Sequence, residues 1–246
     1  MLSEQRHMMI LKILEEKKSV TVTELTKLLD ISESTARRDI TVLDRAGRLA
    51  KVFGGAVLLD HIYVSAEPTV EQKAELHKEE KKRIAKYAAS LILPQDFVYL
   101  DAGTTTGYML DYIAEPKASF VTNAVAHAQD LAAKGMKVIL VGGTLKSSTE
   151  AVVGATAVLM LKDYHFTKGF FGANGVSKPA GFTTPDANEA LVKKAAIEQC
   201  GQAYLLCDHS KFGTVSSVTF APLASGTILT DQKMEEFDGA ADMVLC

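Results

Sequence analysis

The chain has 246 residues and a formal net charge of −3, from 27 lysines and arginines and 30 aspartates and glutamates. Hydrophobic residues make up 47% and charged residues 23%, which is typical of a globular protein and argues against a disordered, collagen-like or coiled-coil chain. The length allows one large domain or two smaller ones, and the net charge means that any DNA-binding surface must be local.

The cysteines and the N-terminus indicate the cellular compartment. Cys200, Cys207 and Cys246 lack C-x-x-C spacing, which argues against a disulfide framework or a structural zinc site and favours reduced thiols. The polar N-terminus lacks the apolar core of a signal peptide, and no apolar stretch approaches the roughly 20 residues that span a bilayer. We therefore expect a cytoplasmic protein without membrane contact.

The first fifty or so residues read as helices. Apolar residues at helical spacing predict a first helix within Ser3–Lys17, followed by a break at Lys18–Val20. Thr21 precedes a glutamate by three residues, a capping-box pattern, and Ser32 is the predicted N-cap of a third helix. Two short helices so close together predict a helix-turn-helix. Gly54-Gly55 predicts a β-hairpin wing, because glycines supply the positive φ of a tight hairpin.

The rest of the chain predicts an α/β domain. The stretch after the wing has no clear period, so we predict a DNA-binding domain at 1–58, a linker at 59–76 and a ligand-binding and oligomerisation domain at 77–246. Continuous apolar strands, each followed by a polar or glycine-rich turn, predict a largely parallel sheet covered on both faces. The predicted strands are Phe97–Leu100, Ser119–Val121, Val138–Val141, Phe170–Phe171, Tyr204–Cys207 and Ile228–Leu229.

The third helix has the chemistry of a recognition helix. Arg37 and Arg38 can fork onto guanine or onto phosphates, and the segment from Ile31 to Lys51 carries a net charge of +2. The alternative is a solvated helix face in which these arginines pair with Asp39 and Asp44. The helix-turn-helix context favours DNA binding. The predicted DNA contacts are Ser32, Ser34, Thr35, Arg37, Arg38, Arg48 and Lys51.

These motifs resemble the N-terminal signature of the DeoR family of bacterial transcriptional regulators. The family core T-[IV]-R-R-D-L reads Thr35-Ala36-Arg37-Arg38-Asp39-Ile40 here, and the wing motif H-G-G-A reads Phe53-Gly54-Gly55-Ala56. The resemblance continues through the second domain. It implies a sensor similar in fold to ribose-5-phosphate isomerase that binds sugar phosphates.

Turns at the carboxyl ends of the predicted strands form the candidate ligand site, because ligands of open α/β sheets bind there. Free N–H groups and hydroxyls in Thr104–Thr106 suit a phosphate, and Lys211 suits a phosphate or a sugar oxygen. Carboxylates and amides suit sugar hydroxyls. The predicted effector contacts are Asp101, Gly103, Thr104, Thr105, Thr106, Asn123, Gly142, Gly143, Asn174, Gly175, Glu189, Asp208 and Lys211.

Lys193 and His209 are two further candidate residues, and a sugar-phosphate isomerase is a second candidate function. Lys193 is a second candidate for the phosphate, although a solvated helix face is the favoured interpretation, and His209 is favoured as a local hydrogen-bonding residue. Asp101 or Glu189 could serve an aldose–ketose isomerase as base. The DNA-binding half argues against an isomerase, so we expect no catalytic residue.

We therefore expect a repressor of a sugar-utilisation operon. It binds double-stranded operator DNA as a homo-oligomer, either a dimer or a tetramer, and a phosphorylated sugar releases it. The segments Phe171–Val176 and Gly181–Ala190 resemble regulators of fructose phosphotransferase operons, which implies fructose 1-phosphate as effector, with tagatose 6-phosphate as the alternative. We expect no cofactor and no metal.

Overall fold

The structure is a computed structural model that describes residues 3–17, 19–45, 48–52, 54–57, 63–64 and 70–246. The chain forms two compact units, Met1–Tyr63 and Val64–Cys246, which we call the N-terminal and C-terminal units. Among the helices of the described residues, none has the length and apolar character needed to cross a membrane.

The N-terminal unit is a helix-turn-helix with a small antiparallel sheet, in the strand order β1-β3-β2. The helices bury one apolar face each, and Ile10, Leu25 and Ile40 lie at the centre of the shared core. Its elements are α1 (Ser3–Lys17), β1 (Ser19–Thr21), α2 (Val22–Leu29), α3 (Glu33–Arg45), β2 (Ala50–Val52) and β3 (Gly55–Val57).

Local capping explains where the second and third helices begin. The Thr21 hydroxyl accepts the backbone N–H of Glu24, whose carboxylate accepts the N–H of Thr21, so the predicted capping box is confirmed. Asp30 adopts a left-handed conformation, with φ 51°, and ends α2. The predicted break between the first two helices is confirmed, and its residues Ser19 and Val20 belong to strand β1.

The wing is the antiparallel hairpin of β2 and β3, as predicted. Its two glycines have different roles, which corrects the expectation of positive φ at both. Gly54 has φ +82°, whereas Gly55 lies so close to β1 that a Cβ there would meet the carbonyl oxygen of Val20 at 2.2 Å. Phe53, the departure from the family's wing histidine, lies outside the described residues.

The C-terminal unit contains a seven-stranded sheet in the order β17-β16-β13-β10-β5-β6-β7, and every described pairing in it is parallel. All six predicted strands belong to this sheet, and β17 is an addition. The parallel strands are β5 (Phe97–Leu100), β6 (Ser119–Thr122), β7 (Lys137–Leu140), β10 (Phe166–Gly172), β13 (Cys200–Leu206), β16 (Thr227–Thr230) and β17 (Met243–Leu245).

Helices and short strands surround this sheet. Helix α4 (Val70–Glu75) lies within the stretch predicted as a linker, half of which falls outside the described residues. The other helices are α5 (Lys78–Ser90), α6 (Thr104–Met109), α7 (Val125–Ala133), α8 (Ala155–Leu161) and α9 (Ala187–Ile197). The shorter strands are β4 (Tyr63–Val64), β8 (Thr144–Lys146), β9 (Ala151–Val153), β11 (Gly175–Ser177), β12 (Gly181–Thr184), β14 (Val215–Ser216) and β15 (Val218–Ala221).

The sheet has a hydrophobic core on each face. Consecutive residues of a strand point to opposite faces, so Phe170 joins the core with Ile84 and Phe120, and Phe171 joins the core with Tyr99 and Phe182. This two-sided burial is why the strands read as continuous apolar runs.

The three cysteines are free thiols, as expected from their spacing. Burial raises the pKa of Cys200 and Cys207 to about 12 and that of Cys246 to about 11. All three are therefore protonated, and unreactive as nucleophiles, near neutral pH.

Candidate functional sites: a recognition helix and a polar site at the sheet edge

Helix α3 separates its charged residues between two environments. Arg37 and Arg38 are exposed, whereas the next residue, Asp39, is 3% exposed. The Asp39 carboxylate accepts hydrogen bonds from the Arg6 guanidinium, one of them 2.9 Å long, and lies 3.1 Å from Nε2 of His7. Burial raises the pKa of Asp39, but the hydrogen bonds from Arg6 and His7 outweigh it and leave this pKa below its usual value.

This arrangement removes the partners that the alternative interpretation needs. Asp39 is committed to α1, and Asp44 accepts the backbone N–H of Lys51 at 2.8 Å. Arg37 contacts Glu33 instead, at 3.6 Å, and both side chains are more than half exposed, so this pair is weak. Arg37 and Arg38 are thus available to a phosphate or a base edge.

The other predicted DNA contacts surround these arginines in the chain. The Ser32 hydroxyl accepts the N–H of Thr35 at 3.2 Å and lies within 2.9 Å of the hydroxyls of Ser34 and Thr35, which fixes the first turn of α3. In the wing, the Lys51 ammonium donates to the Thr41 hydroxyl at 3.1 Å. Arg48, just before β2, is exposed.

In the C-terminal unit, a buried ion pair joins β5 to α9. Asp101 directly follows β5, and its carboxylate accepts hydrogen bonds from the Lys193 ammonium and, at 3.1 Å, from the N–H of Gly172. Burial raises the pKa of Asp101, and the Lys193 charge opposes that rise. Lys193 is 5% exposed and also contacts the Phe220 ring, so the favoured interpretation of a solvated helix face is wrong.

Two predicted contacts instead hold the loop after β5. The Asn123 amide oxygen accepts the N–H of Ala102 at 2.9 Å and the Tyr99 hydroxyl at 3.1 Å, so both of its lone pairs are used. The fully buried Thr106 hydroxyl donates to the carbonyl of Asp101. These contacts correct the predicted ligand roles of Asn123 and Thr106, because their hydrogen-bonding groups face protein. Gly103 caps α6, and Thr104 and Thr105 begin it.

Glu189 is the centre of a second polar cluster. Its carboxylate accepts from the Lys146 ammonium at 3.1 Å and from the Thr149 hydroxyl at 2.6 Å, and Thr184 links it to Asn174. The sequence motifs do not indicate Lys146 and Thr149. The only sequence feature that could indicate them is their position just after Gly142-Gly143. The sequence does not reveal that the hairpin there places them beside Glu189.

Two of the predicted glycines lie where the backbone of another segment comes close. Gly143 has φ +152°, and a Cβ there would meet the carbonyl oxygen of Val153 at 2.6 Å, whereas Gly142 faces open space. At Gly175 a Cβ would meet the carbonyl oxygen of Thr214 at 2.3 Å. Gly143 and Gly175 therefore shape loops through close backbone approach.

A third polar cluster follows β13. Asp208 is 1% exposed and caps the 3-10 helix His209–Lys211, and Lys81 of α5 lies near both Asp208 and Lys211. Burial and the Lys211 charge lower the pKa of Lys81 to about 8. The sequence signal for Lys81 is its position three and four residues before Ile84 and Ala85, on the buried face of α5.

The His209 ring lies 2.8 Å from the Asp231 carboxylate, which confirms its predicted local hydrogen bond. A winged helix-turn-helix with exposed arginines, and an α/β unit with buried charges at the strand ends, define a DNA-binding regulator with a separate small-molecule sensor.

Comparison with known families agrees with that class. Residues 6–61 match the DeoR-like helix-turn-helix domain, and residues 76–232 match the DeoR C-terminal sensor domain. The chain belongs to the DeoR family of transcriptional regulators.

Relatives align over nearly the full chain. The uncharacterised HTH-type transcriptional regulator FruR of Bacillus subtilis is 42% identical over 96% of this chain and 93% of its own length. The regulator IolR of the same organism is 34% identical over 89% of this chain and 87% of its own. The lactose phosphotransferase system repressor of Streptococcus mutans is 31% identical over 99% of this chain and all of its own.

Among solved structures, ribose 5-phosphate isomerase A of Methanocaldococcus jannaschii is 13% identical, with a TM-score of 0.41 over 55% of each chain.

Proposed function

We propose that the chain represses a sugar-utilisation operon and leaves its operator when a phosphorylated sugar binds the C-terminal unit. The observation that carries the proposal is the contrast within α3: Asp39 is held by α1, while Arg37 and Arg38 are exposed. Because Arg6 of α1 neutralises Asp39, the two adjacent arginines keep their positive charge for the phosphates of DNA.

The sensor function rests on the buried charges at the strand ends. Positive charge at this edge of the sheet comes from four lysines, Lys81, Lys146, Lys193 and Lys211. Hydrogen-bond acceptors come from three carboxylates, Asp101, Glu189 and Asp208. A sugar phosphate presents an anion and several hydroxyls, which suits both. Lys211, with Gly103, Thr104 and Thr105, is the proposed phosphate contact, and the carboxylates are the proposed hydroxyl contacts.

Fructose 1-phosphate is the proposed effector, supported by the similarity to FruR over nearly the full chain. Tagatose 6-phosphate is the alternative, supported by the similarity to lactose phosphotransferase repressors. We further propose a DNA-binding domain at 1–58, a linker at 59–76, a sensor at 77–246 and a homo-oligomer on the operator. The effector releases DNA by binding the DNA-free arrangement more tightly.

The test is fluorescence anisotropy on a labelled duplex from the upstream region of the protein's own gene, at one fixed salt concentration because affinity for DNA depends on salt. We expect specific binding that fructose 1-phosphate releases. Release by tagatose 6-phosphate alone would replace the effector and keep the repressor. Specific binding to no duplex, together with sugar-phosphate isomerase activity, would replace the repressor with the enzyme.

Two variants test the DNA-binding role and the effector-binding role separately. Arg37→Ala should weaken specific DNA binding. Lys211→Ala should bind DNA as before but need more effector for release, whereas Lys162→Ala, which removes an exposed lysine on α8's C-terminal side, should match the wild type. A full response from Lys211→Ala would remove Lys211 from the effector site.

A further inference from the structure

Three side chains with metal-binding atoms meet beside helix α5. His77 precedes α5, while Asp208 and His209 follow β13, more than 100 positions later. Their nearest imidazole and carboxylate atoms all lie within 4.8 Å of one another. This set is absent from the sequence patterns because no short spacing joins His77 to the other two.

The Asp208 carboxylate has one committed oxygen and one uncommitted oxygen. Oδ1 accepts the N–H of Ser210 at 3.1 Å and also the Ser210 hydroxyl. Oδ2 is buried and has no hydrogen-bond partner in the described part of the chain, although Asp208 is only 1% exposed. A buried carboxylate oxygen without a partner is costly, and a metal cation satisfies it directly.

His209 is already oriented as a ligand. Its Nδ1 lies 2.8 Å from Oδ2 of Asp231, and its backbone N–H donates to the other oxygen of the same carboxylate at 2.8 Å. A histidine that donates the Nδ1 hydrogen bond to a carboxylate keeps the lone pair on Nε2, and metal-binding histidines usually have such a carboxylate on the other ring nitrogen.

His77 completes the set from the other side. It has a left-handed backbone, with φ 51°, and its side chain does not cap α5. Its ring meets the His209 ring edge-on, with the centroids 4.9 Å apart. The two imidazoles are therefore close enough to share one ion after small rotations.

The ligand atoms select the kind of metal. Mg²⁺ and Ca²⁺ take oxygen ligands, of which this set offers one carboxylate, beside the charges of Lys81 and Lys211. Imidazole nitrogens instead select first-row transition metals. We propose that His77, Asp208 and His209 bind one such ion, Zn²⁺ or Co²⁺ in solution, with Asp231 as a positioning residue. This site departs from the metal-free expectation from the sequence, and it takes Asp208 out of the proposed hydroxyl contacts of the effector. It does not depend on DNA binding.

The experiment uses the full chain after treatment with EDTA. Titration with Co²⁺ is followed by its visible absorption, and Zn²⁺ is then added in competition. We expect saturation at one ion per chain and a higher unfolding midpoint with metal, because an ion that binds only the folded state stabilises it. His77→Gln and His209→Gln should each weaken binding more than about ten-fold, and Asp231→Asn should weaken it roughly 10- to 100-fold.

The matched control is His165→Gln, which removes an exposed histidine of the same unit and should leave Co²⁺ binding unchanged. Unfolding midpoints in EDTA show whether each variant is folded, and Asp208→Asn provides a further ligand variant. Binding that survives in both His77→Gln and His209→Gln, or no saturable binding at all, would overturn the proposal. So would binding of inorganic phosphate, lost in His77→Gln, by a protein that takes up no Co²⁺.

Discussion

In the N-terminal unit Arg37 and Arg38 of α3 are exposed, whereas in the C-terminal unit charged residues such as Lys193 and Asp101 are buried and paired. An exposed arginine stays hydrated until it neutralises a DNA phosphate and releases the counterions condensed there, so it adds affinity for DNA at little cost to the fold. A buried pair is costly to desolvate and is held in one geometry before any ligand arrives. Under the proposed function, the two units would suit two ligands: solvated charge suits DNA, and preorganised charge suits a small molecule.

The largest expected effect sharpens this comparison at Lys193. Lys193→Met leaves the Asp101 carboxylate buried without its ammonium, which should lower the free energy of unfolding by about 3–5 kcal/mol. Urea unfolding followed by circular dichroism measures the change. Lys194→Met removes the adjacent, exposed lysine and should change stability little. Equal stabilities of the two variants would contradict a buried pair.

The next effect tests whether a buried titratable group in the C-terminal unit affects its stability. Burial lowers the pKa of His127 from its usual value of 6.5 to about 4, so the unfolded state binds more protons between these values. Stability should therefore fall as the pH drops from about 6.5 to about 4, with His127 contributing at most roughly 3 kcal/mol. Urea midpoints across this range measure it.

Matched variants separate His127 from the other groups that titrate. His127→Gln should flatten the pH dependence, while exposed His165→Gln should keep the wild-type slope. An unchanged slope in His127→Gln would assign the acid sensitivity elsewhere.

Backbone geometry gives a smaller effect at the sheet edge. Gly143→Ala places a Cβ about 2.6 Å from the carbonyl oxygen of Val153 at a positive φ, and should cost roughly 1–3 kcal/mol. Gly142→Ala meets open space and should be close to neutral. Thermal unfolding of the pair checks this, and similar losses in both variants would show that loop flexibility and not steric contact decides.

The smallest effect tests the other half of the comparison. Arg38→Ala should not change the unfolding midpoint, because Arg38 is exposed, but should weaken operator binding about ten-fold, or ~1.4 kcal/mol. Lys12→Ala, an exposed charge on α1, should bind the operator as the wild type does. Anisotropy at two salt concentrations measures both. A loss in Arg38→Ala matched by Lys12→Ala would indicate net charge rather than a contact.

The two units also differ in how much the sequence predicts. The capping box at Thr21 and the wing at Gly54 depend on neighbouring residues, so short motifs located them. The Asp101–Lys193 pair joins positions 92 residues apart, and Lys193 on a helix pattern looks the same whether it faces water or a carboxylate. The parallel strands were predictable because burial on both faces leaves continuous apolar runs.

The same distinction explains the roles that changed. Asn123 and Thr106 follow strands at the predicted edge, but the sequence does not specify whether a polar side chain points out to a ligand or back to the loop. Lys146 was missed because a two-stranded hairpin, β8–β9, returns it to Glu189. Local chemistry placed the site, and tertiary contacts decided which atoms remain available in it.

The protonated state of the three native thiols has a practical consequence for spectroscopy. With pKa values of about 11 to 12, Cys200, Cys207 and Cys246 react slowly with maleimides near neutral pH. A single cysteine introduced at an exposed position, such as Arg48 in the wing, would then take up a fluorophore or spin label selectively. Changes in the environment of that label on adding DNA or effector then become measurable without first deleting the native cysteines.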